Sequence, residues 1–328
     1  MSAADHPAPV PEGQRLRAGL AAALRRLAGQ PAALRLGPPP GLGERAAGHF
    51  HLVPELFLQL SGHTHFQFPQ GACGLAPGQA LLLPPLLQHA ERVQGGPDGA
   101  PFCNLVIQAD GGRLTCHLAQ EVSPGRPGIL HLESALHAQA GAIQAWLAQA
   151  ARLGAVVGAG VGEGASVAAG AGAVDVFGGP AGASRLAAVQ AQALVCAATA
   201  AVLRALDDAA AAPAAAAAEP PLVARLRVLV QNQLGDAGLS VRRLAAQSGC
   251  TADHLSAVFA RATGEPLAAC ITRLRLARAA DLLRQTDMPC KQVAWACGYA
   301  RHSYFSHCFR RLHGRSPQAW RAGGAARA

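Results

Sequence analysis

Two stretches of similar pattern decide the fold of the last third of this chain: LAAQSGCTADHLSAVFARATG at residues 244–264 and VAWACGYARHSYFSHCFRRLHG at residues 293–314. In each, a glycine follows a small alanine, two large apolar residues come one helical turn apart, and a second glycine closes the stretch. The positions are Ala245, Gly249, Leu255, Phe259 and Gly264 in the first copy, and Ala294, Gly298, Phe305, Phe309 and Gly314 in the second.

This spacing predicts two helix-turn-helix units. A small alanine lets two helices cross closely, and glycine takes the tight left-handed turn between them. The later apolar pair fixes the second helix to the core and leaves its polar residues outside, where such a helix can enter the major groove of DNA. Two ordinary helical hairpins that serve stability alone are the alternative, and the repetition of the pattern makes that alternative weaker.

The distribution of charge favours a nucleic-acid partner for this part of the chain. Residues 220–328 hold 16 Lys and Arg against 5 Asp and Glu, a net charge of +11, whereas residues 1–219 hold 12 against 14, a net charge of −2. Arginine enrichment of the whole chain, which has a single lysine, cannot explain why the charge collects at one end. A basic segment beside a nearly neutral one is typical of binding to a polyanion.

A helix predicted over about residues 267–285 joins the two units. At 1.5 Å per residue it is about 29 Å long, close to the ~34 Å pitch of B-form DNA. Residues 222–322 resemble the AraC/XylS family of transcription regulators, through RLARAADLLRQT, QVAWACGYARHSYFSHCFRR and the closing GRSPQAWR. The resemblance implies a tandem helix-turn-helix domain that binds double-stranded promoter DNA, with RNA polymerase as a further partner.

The same resemblance implies which side chains contact DNA. The residues expected to read bases are Ala252, Asp253, Ser256 and Ala257 in the first unit, and Arg301, His302, Ser303, Ser306 and His307 in the second. Since alanine offers no hydrogen bond to a base edge and aspartate repels phosphate, we expect the second unit to carry more of the sequence reading. The candidates for phosphate contacts, each of which could instead be a solvated surface arginine, are Arg261, Arg310, Arg311 and Arg315.

The amino-terminal part contains a second pattern, with Gly43, His49, His51, Glu55 and Gly62 in one segment and Gly78, Pro84 and His89 in another. It resembles both conserved segments of the cupin superfamily, a small β-barrel, although the final asparagine of the second segment is missing. The resemblance implies His49, His51, Glu55 and His89 as metal ligands, with both early histidines on one strand. Three imidazoles and a carboxylate suit Fe, Mn, Ni or Zn. A barrel that holds a small molecule without metal is the alternative.

We therefore predict an α+β multidomain fold. It comprises a flexible amino-terminal arm (1–42) with one short amphipathic helix at 14–28, a cupin-like sensor barrel (43–134), a helical dimerisation segment (135–208) with a Gly/Ala-rich insertion, a linker (209–219) and the all-α DNA-binding domain (220–328). Helices are expected at about 135–153 and 184–208. The second is apolar almost all round and should pack on the barrel or on a second subunit, so a homodimer is an open expectation.

The predicted function is a transcription regulator without enzymatic activity, controlled by a small-molecule effector of unknown identity in the barrel. A metal-dependent cupin enzyme fused to a DNA-binding domain, and a non-specific nucleic-acid-binding protein, are the alternatives. No cofactor is required, and a divalent metal in the barrel stays an option. Nine cysteines without a Cys-x-x-Cys pair predict reduced thiols, and arginines interrupt the early apolar stretch, so we expect a cytoplasmic protein with no membrane association.

Overall fold

A computed structural model describes residues 11–39, 48–158, 183–211 and 219–325. Residues 1–10, 40–47, 159–182, 212–218 and 326–328 lie outside the described part, and with them lies most of the predicted Gly/Ala-rich insertion and linker. The predicted α+β multidomain class is confirmed, because a β-rich unit precedes an all-α unit.

The amino-terminal unit begins with helix α1 (Glu12–Gly29) and continues as strands to residue 136. The strands are β1 (Leu34–Leu36), β2 (Glu55–Ser61), β3 (His63–Phe68), β4 (Gly71–Leu75), β5 (Ala80–Leu83), β6 (Ala90–Gln94), β7 (Cys103–Asp110), β8 (Arg113–Ser123) and β9 (Arg126–Leu136). They form a six-stranded sheet in the order β1-β5-β2-β7-β8-β9 and a three-stranded sheet in the order β4-β3-β6.

The alternation of side chains along β2 shows how this unit is layered. Phe57 packs between the two sheets in a cluster that includes Phe66 from the small sheet and Val106 from the large one. Its neighbours Leu56 and Leu58 face the opposite way, into the largest apolar core, which the helices cover. Successive residues of a strand point to opposite faces, so one strand serves both cores. That the paired sheets form a barrel of cupin type stays a prediction.

The amino-terminal segment is part of the folded core. Helix α1 contributes Leu16, Leu20 and Leu27 to the largest core, and β1 pairs in parallel with β5 at the edge of the large sheet. The prediction of a flexible arm over residues 1–42 is therefore wrong for residues 11–39. The three leucines recur on one face of the helix, and that apolar stripe is buried against the sheet rather than left in water.

Two further helices close the unit, α2 (Ala140–Gly158) and α3 (Ala183–Ala211). Both predicted helices are thus present, and α3 continues past residue 208 into the predicted linker. By length and composition alone, α3 is apolar enough over Leu186–Ala211 to cross a membrane, and 39% of its most apolar stretch is buried. It contributes Val195, Val202 and other residues to the largest core.

The carboxyl-terminal unit is all helix, as predicted. Its helices are α4 (Pro221–Gln233), α5 (Val241–Gln247), α6 (Ala252–Thr263), α7 (Leu267–Gln285), α8 (Cys290–Ala296), α9 (His302–His313) and α10 (Pro317–Ala325). Helix α7 occupies the predicted range 267–285. Its residues Leu267, Cys270 and Ile271 pack in the core of the first helix-turn-helix unit, and Leu276 and Leu283 pack in the core of the second. One helix therefore joins the two helix-turn-helix units.

The amino-terminal unit touches the helical unit directly. The ring of Phe50 is buried in the same cluster as Leu276 and Phe305 of the second helix-turn-helix unit, and Leu86 packs against it. Leu86 has a φ of 68°, in the left-handed region that a leucine rarely adopts. The two units therefore share a packed interface.

Candidate nucleic-acid interface and metal-ligand cluster

The first helix-turn-helix unit consists of α5 and α6. Leu255 and Phe259 are buried against Ala245, as the spacing predicts. The hydroxyl of Thr251 accepts a hydrogen bond from the His254 N–H at 3.3 Å and so caps the start of α6. The predicted base-reading residues lie at this start and on the outer face: Asp253 and Ala257 are exposed, and Ala252 and Ser256 are half-buried.

The Ser256 hydroxyl donates a hydrogen bond to the Ala252 carbonyl oxygen at 2.7 Å. Its donor is therefore occupied within the helix, and its oxygen can still accept. The first unit therefore has fewer hydrogen-bond donors for base edges, since the Ser256 donor is occupied and Ala257 has none.

The second unit consists of α8 and α9. Phe305 and Phe309 are buried against Ala294, again as predicted. The residues expected to read bases all lie at the start or on the outer face of α9: Arg301, His302, Ser303 and His307 are exposed, and Ser306 is half-buried. Tyr304, which the sequence reasoning missed, is 62% exposed on the same helix.

Ion pairs divide the arginines of this domain into two groups. Arg243 pairs with Asp236, Arg273 with Glu265 and Arg284 with Asp281, so these three acids neutralise arginines. Within the described part of the chain, the four predicted phosphate contacts are exposed and take part in no ion pair: Arg261, Arg310, Arg311 and Arg315. They lie at or just beyond the ends of α6 and α9, where their charge is available to a polyanion.

The predicted metal ligands converge in the amino-terminal unit. One ligand atom from each of four side chains lies within 4.8 Å of the others, and three of these side chains are buried: His49, His51, Glu55 and His89. The Oε2 atom of Glu55 lies 3.1 Å from Nε2 of His51 and 3.5 Å from Nε2 of His89. Ligands that share one ion through bonds of about 2.1 Å lie roughly 3 to 4 Å apart.

Backbone geometry brings the histidines together, although not through the predicted strand. His49 and His51 precede β2, and His49 makes an isolated bridge to His89 through two N–H···O hydrogen bonds of 2.8 Å. The preceding residue, Gly48, has a φ of 110°, and a Cβ there would lie within 2.8 Å of backbone atoms of His89 and Ala90. Only glycine allows this close approach.

Two hydrogen bonds orient the ligands. The Gln108 side-chain amide donates to Oε1 of Glu55 at 2.7 Å, which leaves Oε2 facing the histidines. Nδ1 of His89 lies 3.1 Å from the Leu87 carbonyl oxygen, so Nδ1 carries the hydrogen and Nε2 faces the cluster. The sequence reasoning missed Gln108, because its partners are more than fifty residues away in the chain.

The electrostatics suit a cation. Burial raises the pKa of Glu55, but the neighbouring His51 and His89 outweigh burial and hold it well below its ordinary value. Burial, followed by the charges of His89 and His51, keeps the pKa of His49 well below its ordinary value. A carboxylate beside a neutral imidazole is what a divalent transition metal binds, and Oε2 of Glu55 and Nε2 of His51 and His89 have no hydrogen-bond partner among the described residues. The residues present therefore fit a metal ion.

A cavity of about 1100 Å³ extends from this cluster to the helical unit. On the side of the amino-terminal unit, it is lined by His49, Glu55, Asn104 and His117. Its other wall comes from α4, α7 and α8, including Arg225, Asn232, Arg278 and Gln292. It has the size of a small-molecule site and lies between two domains, where such sites are common.

Comparison with known proteins shows which proteins the carboxyl-terminal unit resembles. A helix-turn-helix domain family matches residues 244–323. The chain is 43% identical over 53 residues to the transcriptional activator RhaS of Escherichia fergusonii, and 49% identical over 49 residues to the transcriptional regulator CdhR of Pseudomonas aeruginosa. These matches cover 16% and 15% of this chain, but only 19% of RhaS and 15% of CdhR.

The match to the regulatory protein SoxS of Escherichia coli is 34% identical over 86 residues and covers 26% of this chain and 80% of SoxS. Among solved structures, the DNA-binding domain of AdpA in complex with a target DNA is 27% identical, with a TM-score of 0.32, over 33% of this chain and 96% of that one. Because this chain covers 80% of SoxS at 34% identity and its residues 244–323 match a helix-turn-helix domain family, it belongs to the AraC/XylS family of transcription regulators.

Proposed function

We propose that this protein is a sequence-specific DNA-binding transcription regulator, controlled by a small-molecule effector bound in its amino-terminal barrel. The observation that carries the proposal is the pair of helix-turn-helix units on a segment of net charge +11, which hold exposed arginines that have no ion-pair partner among the described residues. The relatives RhaS, CdhR and SoxS are named as regulators of transcription or regulatory proteins, which supports the same function.

The geometry suggests how the DNA-binding domain contacts a promoter. Helices α6 and α9 each present their outer face, and α7, whose 19 residues make it about 29 Å long, joins the two helix-turn-helix units. The recognition helices then enter successive major grooves on one face of the duplex. Exposed arginines at the ends of both helices neutralise phosphates and set the register.

The cavity between barrel and helices supports the effector part of the proposal. A ligand that binds one arrangement of the two units more tightly than another shifts the population toward that arrangement. RNA polymerase, a second copy of the chain and a cytoplasmic location are part of the same proposal.

Selection of bound fragments from genomic DNA, followed by footprinting with the full chain, tests the proposal. We expect a few sites of shared sequence bound at least 1000-fold more tightly than random duplex. The double variant Arg301→Ala/Ser306→Ala should lose that preference, and Arg204→Ala, at an exposed arginine of α3, should keep it. A footprint that ignores duplex sequence would indicate a non-specific nucleic-acid-binding protein instead.

The ligand cluster favours a second candidate, a metal-dependent cupin enzyme fused to a DNA-binding domain. A bound divalent ion would be held by His49, His51, Glu55 and His89, and it would supply Lewis-acid or redox chemistry there. Elemental analysis of the purified chain separates the candidates. Absence of stoichiometric metal, with DNA binding intact, rules out the enzyme, whereas metal that is lost in Glu55→Gln and kept in the exposed Asp110→Asn supports the site.

A further inference from the structure

Helix α7 carries a buried arginine at the interface between the two domains. The side chain of Arg278 is 1% exposed, and its guanidinium lies over the ring of Phe50 at the interface between barrel and helices. Within the described residues, none of its three nitrogens has a hydrogen-bond partner, although a guanidinium carries five N–H donors.

Among the described residues, the charge of Arg278 has no acidic partner. No ion pair in the described part of the chain includes Arg278, and its titratable neighbours are Cys297, which raises its pKa, and a second arginine, Arg275, which lowers it. Burial, the largest influence, lowers the pKa of Arg278. Buried charges in folded proteins are paired or bind ligands, so an isolated one points to a missing anion.

The barrel wall of the same cavity holds a second unsatisfied group. Asn104 of β7 is fully buried, and within the described residues both atoms of its side-chain amide lack a hydrogen-bond partner. Arg278 and Asn104 both line the cavity, one from each domain. Orphaned donors on opposite walls of one cavity are what a polar ligand spanning it would satisfy.

The rest of the lining narrows the chemistry of that ligand. Apolar side chains come from both domains: Val106 and Ile129 from the barrel, and Leu229 and Met288 from the helices. The volume of about 1100 Å³ far exceeds a free phosphate or sulfate. The carboxylate of Glu55 also lines the cavity, and it would repel a second negative charge on the ligand placed beside it.

We propose that this interdomain cavity binds an organic monocarboxylate with an apolar body, whose carboxylate is held by Arg278 and whose body or second polar group reaches Asn104. The inference rests on the proposed function, since it names the chemical class of the effector. A planar guanidinium suits a carboxylate because it offers two parallel N–H donors. Because Arg278 lies on the helix that joins both recognition units, a ligand held there fixes both units relative to the barrel.

Thermal unfolding and calorimetry of the full chain test the proposal without DNA. The probes are formate, acetate, benzoate and octanoate, each against chloride at equal ionic strength, with benzamide, octanol and inorganic phosphate for comparison. We expect at least one carboxylate to raise the unfolding midpoint of the wild type, more than its neutral analogue or phosphate does. Arg278→Gln should lower the affinity for that carboxylate at least tenfold, and Arg278→Lys should lower it less. Arg225→Gln, at an exposed arginine that lines the same cavity, should change the affinity little.

The unfolding midpoint without added carboxylate shows whether a variant has lost its fold rather than its ligand site. Without added carboxylate, Arg278→Met should unfold at the wild-type midpoint or above it, because it removes an uncompensated buried charge. The proposal is overturned if no carboxylate, formate included, raises the unfolding midpoint of the wild type more than it raises that of the Arg278→Gln variant. If the wild type binds a carboxylate through Arg278 but binds no DNA sequence specifically, the proposed function is overturned and the ligand site is retained.

Discussion

At the scale of single residues, the charges of the helical domain are sorted by their partners. Asp236, Glu265 and Asp281 neutralise arginines outside α6 and α9, while the arginines at the ends of α6 and α9 form no ion pair within the described ranges. The sequence predicts a net positive segment but does not tell which arginines are paired, because that depends on side chains brought together by the fold. The division gives each arginine a distinct expected role.

Arg310, in the last turn of α9, should contact a phosphate. Arg310→Ala is expected to weaken binding to all duplexes alike and to reduce the slope of log affinity against log salt by about one unit. Titration of one duplex at several salt concentrations measures this slope. Arg284→Ala, at an arginine paired with Asp281, is the control, and an unchanged slope for Arg310→Ala would remove it from the phosphate contacts.

His117 should make the stability of the amino-terminal unit depend on pH. Burial, with a smaller effect of His51, lowers its pKa from 6.5 to about 4. Because the unfolded chain then binds the proton more tightly, the stabilisation is complete above pH 6.5 and is lost as pH falls toward 4. Between pH 7 and pH 5 this single group should cost about 2 kcal/mol.

Urea unfolding of chelator-treated protein at both pH values measures that loss. His117→Asn should show a smaller decrease than the wild type. Equal decreases in the two proteins would mean that His117 keeps an ordinary pKa in the folded chain.

The limits of sequence reasoning at this scale follow from distance along the chain. The four converging ligands were found because their spacing resembles a known pattern. Gln108 and Arg278 were missed, since neither belongs to a pattern and each acquires its role only from the partners that the fold brings or fails to bring near it. Whether the residues on α6 and α9 read bases stays a prediction.

At the scale of elements, the repeated stretches fold as their spacing predicts. Ala245 and Ala294 are buried beside the apolar pairs of the following helices, and α7 spans the predicted range. The amino-terminal helix was placed correctly at about residues 14–28, but its docking was not foreseen. Periodicity reveals an apolar face, whereas the surface that buries it lies elsewhere in the chain.

The two turn glycines provide a matched pair for testing the units. Both have positive φ, at 65° for Gly249 and 76° for Gly298. A Cβ at Gly249 meets nothing within 4 Å, whereas one at Gly298 would lie 2.6 Å from the Leu234 carbonyl oxygen. Gly249→Ala should therefore cost about 1 to 2 kcal/mol of backbone strain, and Gly298→Ala at least about 1 kcal/mol more.

Urea unfolding of the full-length variants gives both values. We also expect Gly298→Ala to reduce DNA affinity more than Gly249→Ala does, because it displaces the start of α9. Equal costs for the two substitutions would contradict the close approach at Gly298.

At the scale of the whole molecule, one rigid helix fixes the spacing of the two recognition units. Hydroxyl-radical footprints of the full chain on a selected site should show protected patches on one face, about 10 base pairs apart. Inserting five or ten base pairs between the patches should lower affinity in both cases, because a helix of 19 residues cannot lengthen. Recovery of affinity with the ten-base-pair insertion would show that separate subunits bind each patch.

Phe50 belongs to the amino-terminal unit by its place in the chain and to the core of the second helix-turn-helix unit by its packing. A chimera that grafts the helical domain of a relative onto this amino-terminal unit would leave that ring, and Leu86 beside it, without their complementary surface. Swapping domains between such regulators would then require the grafted domain to carry matching residues at Leu276 and Arg278. Domain exchange in this protein is therefore restricted to donors with the same interface residues.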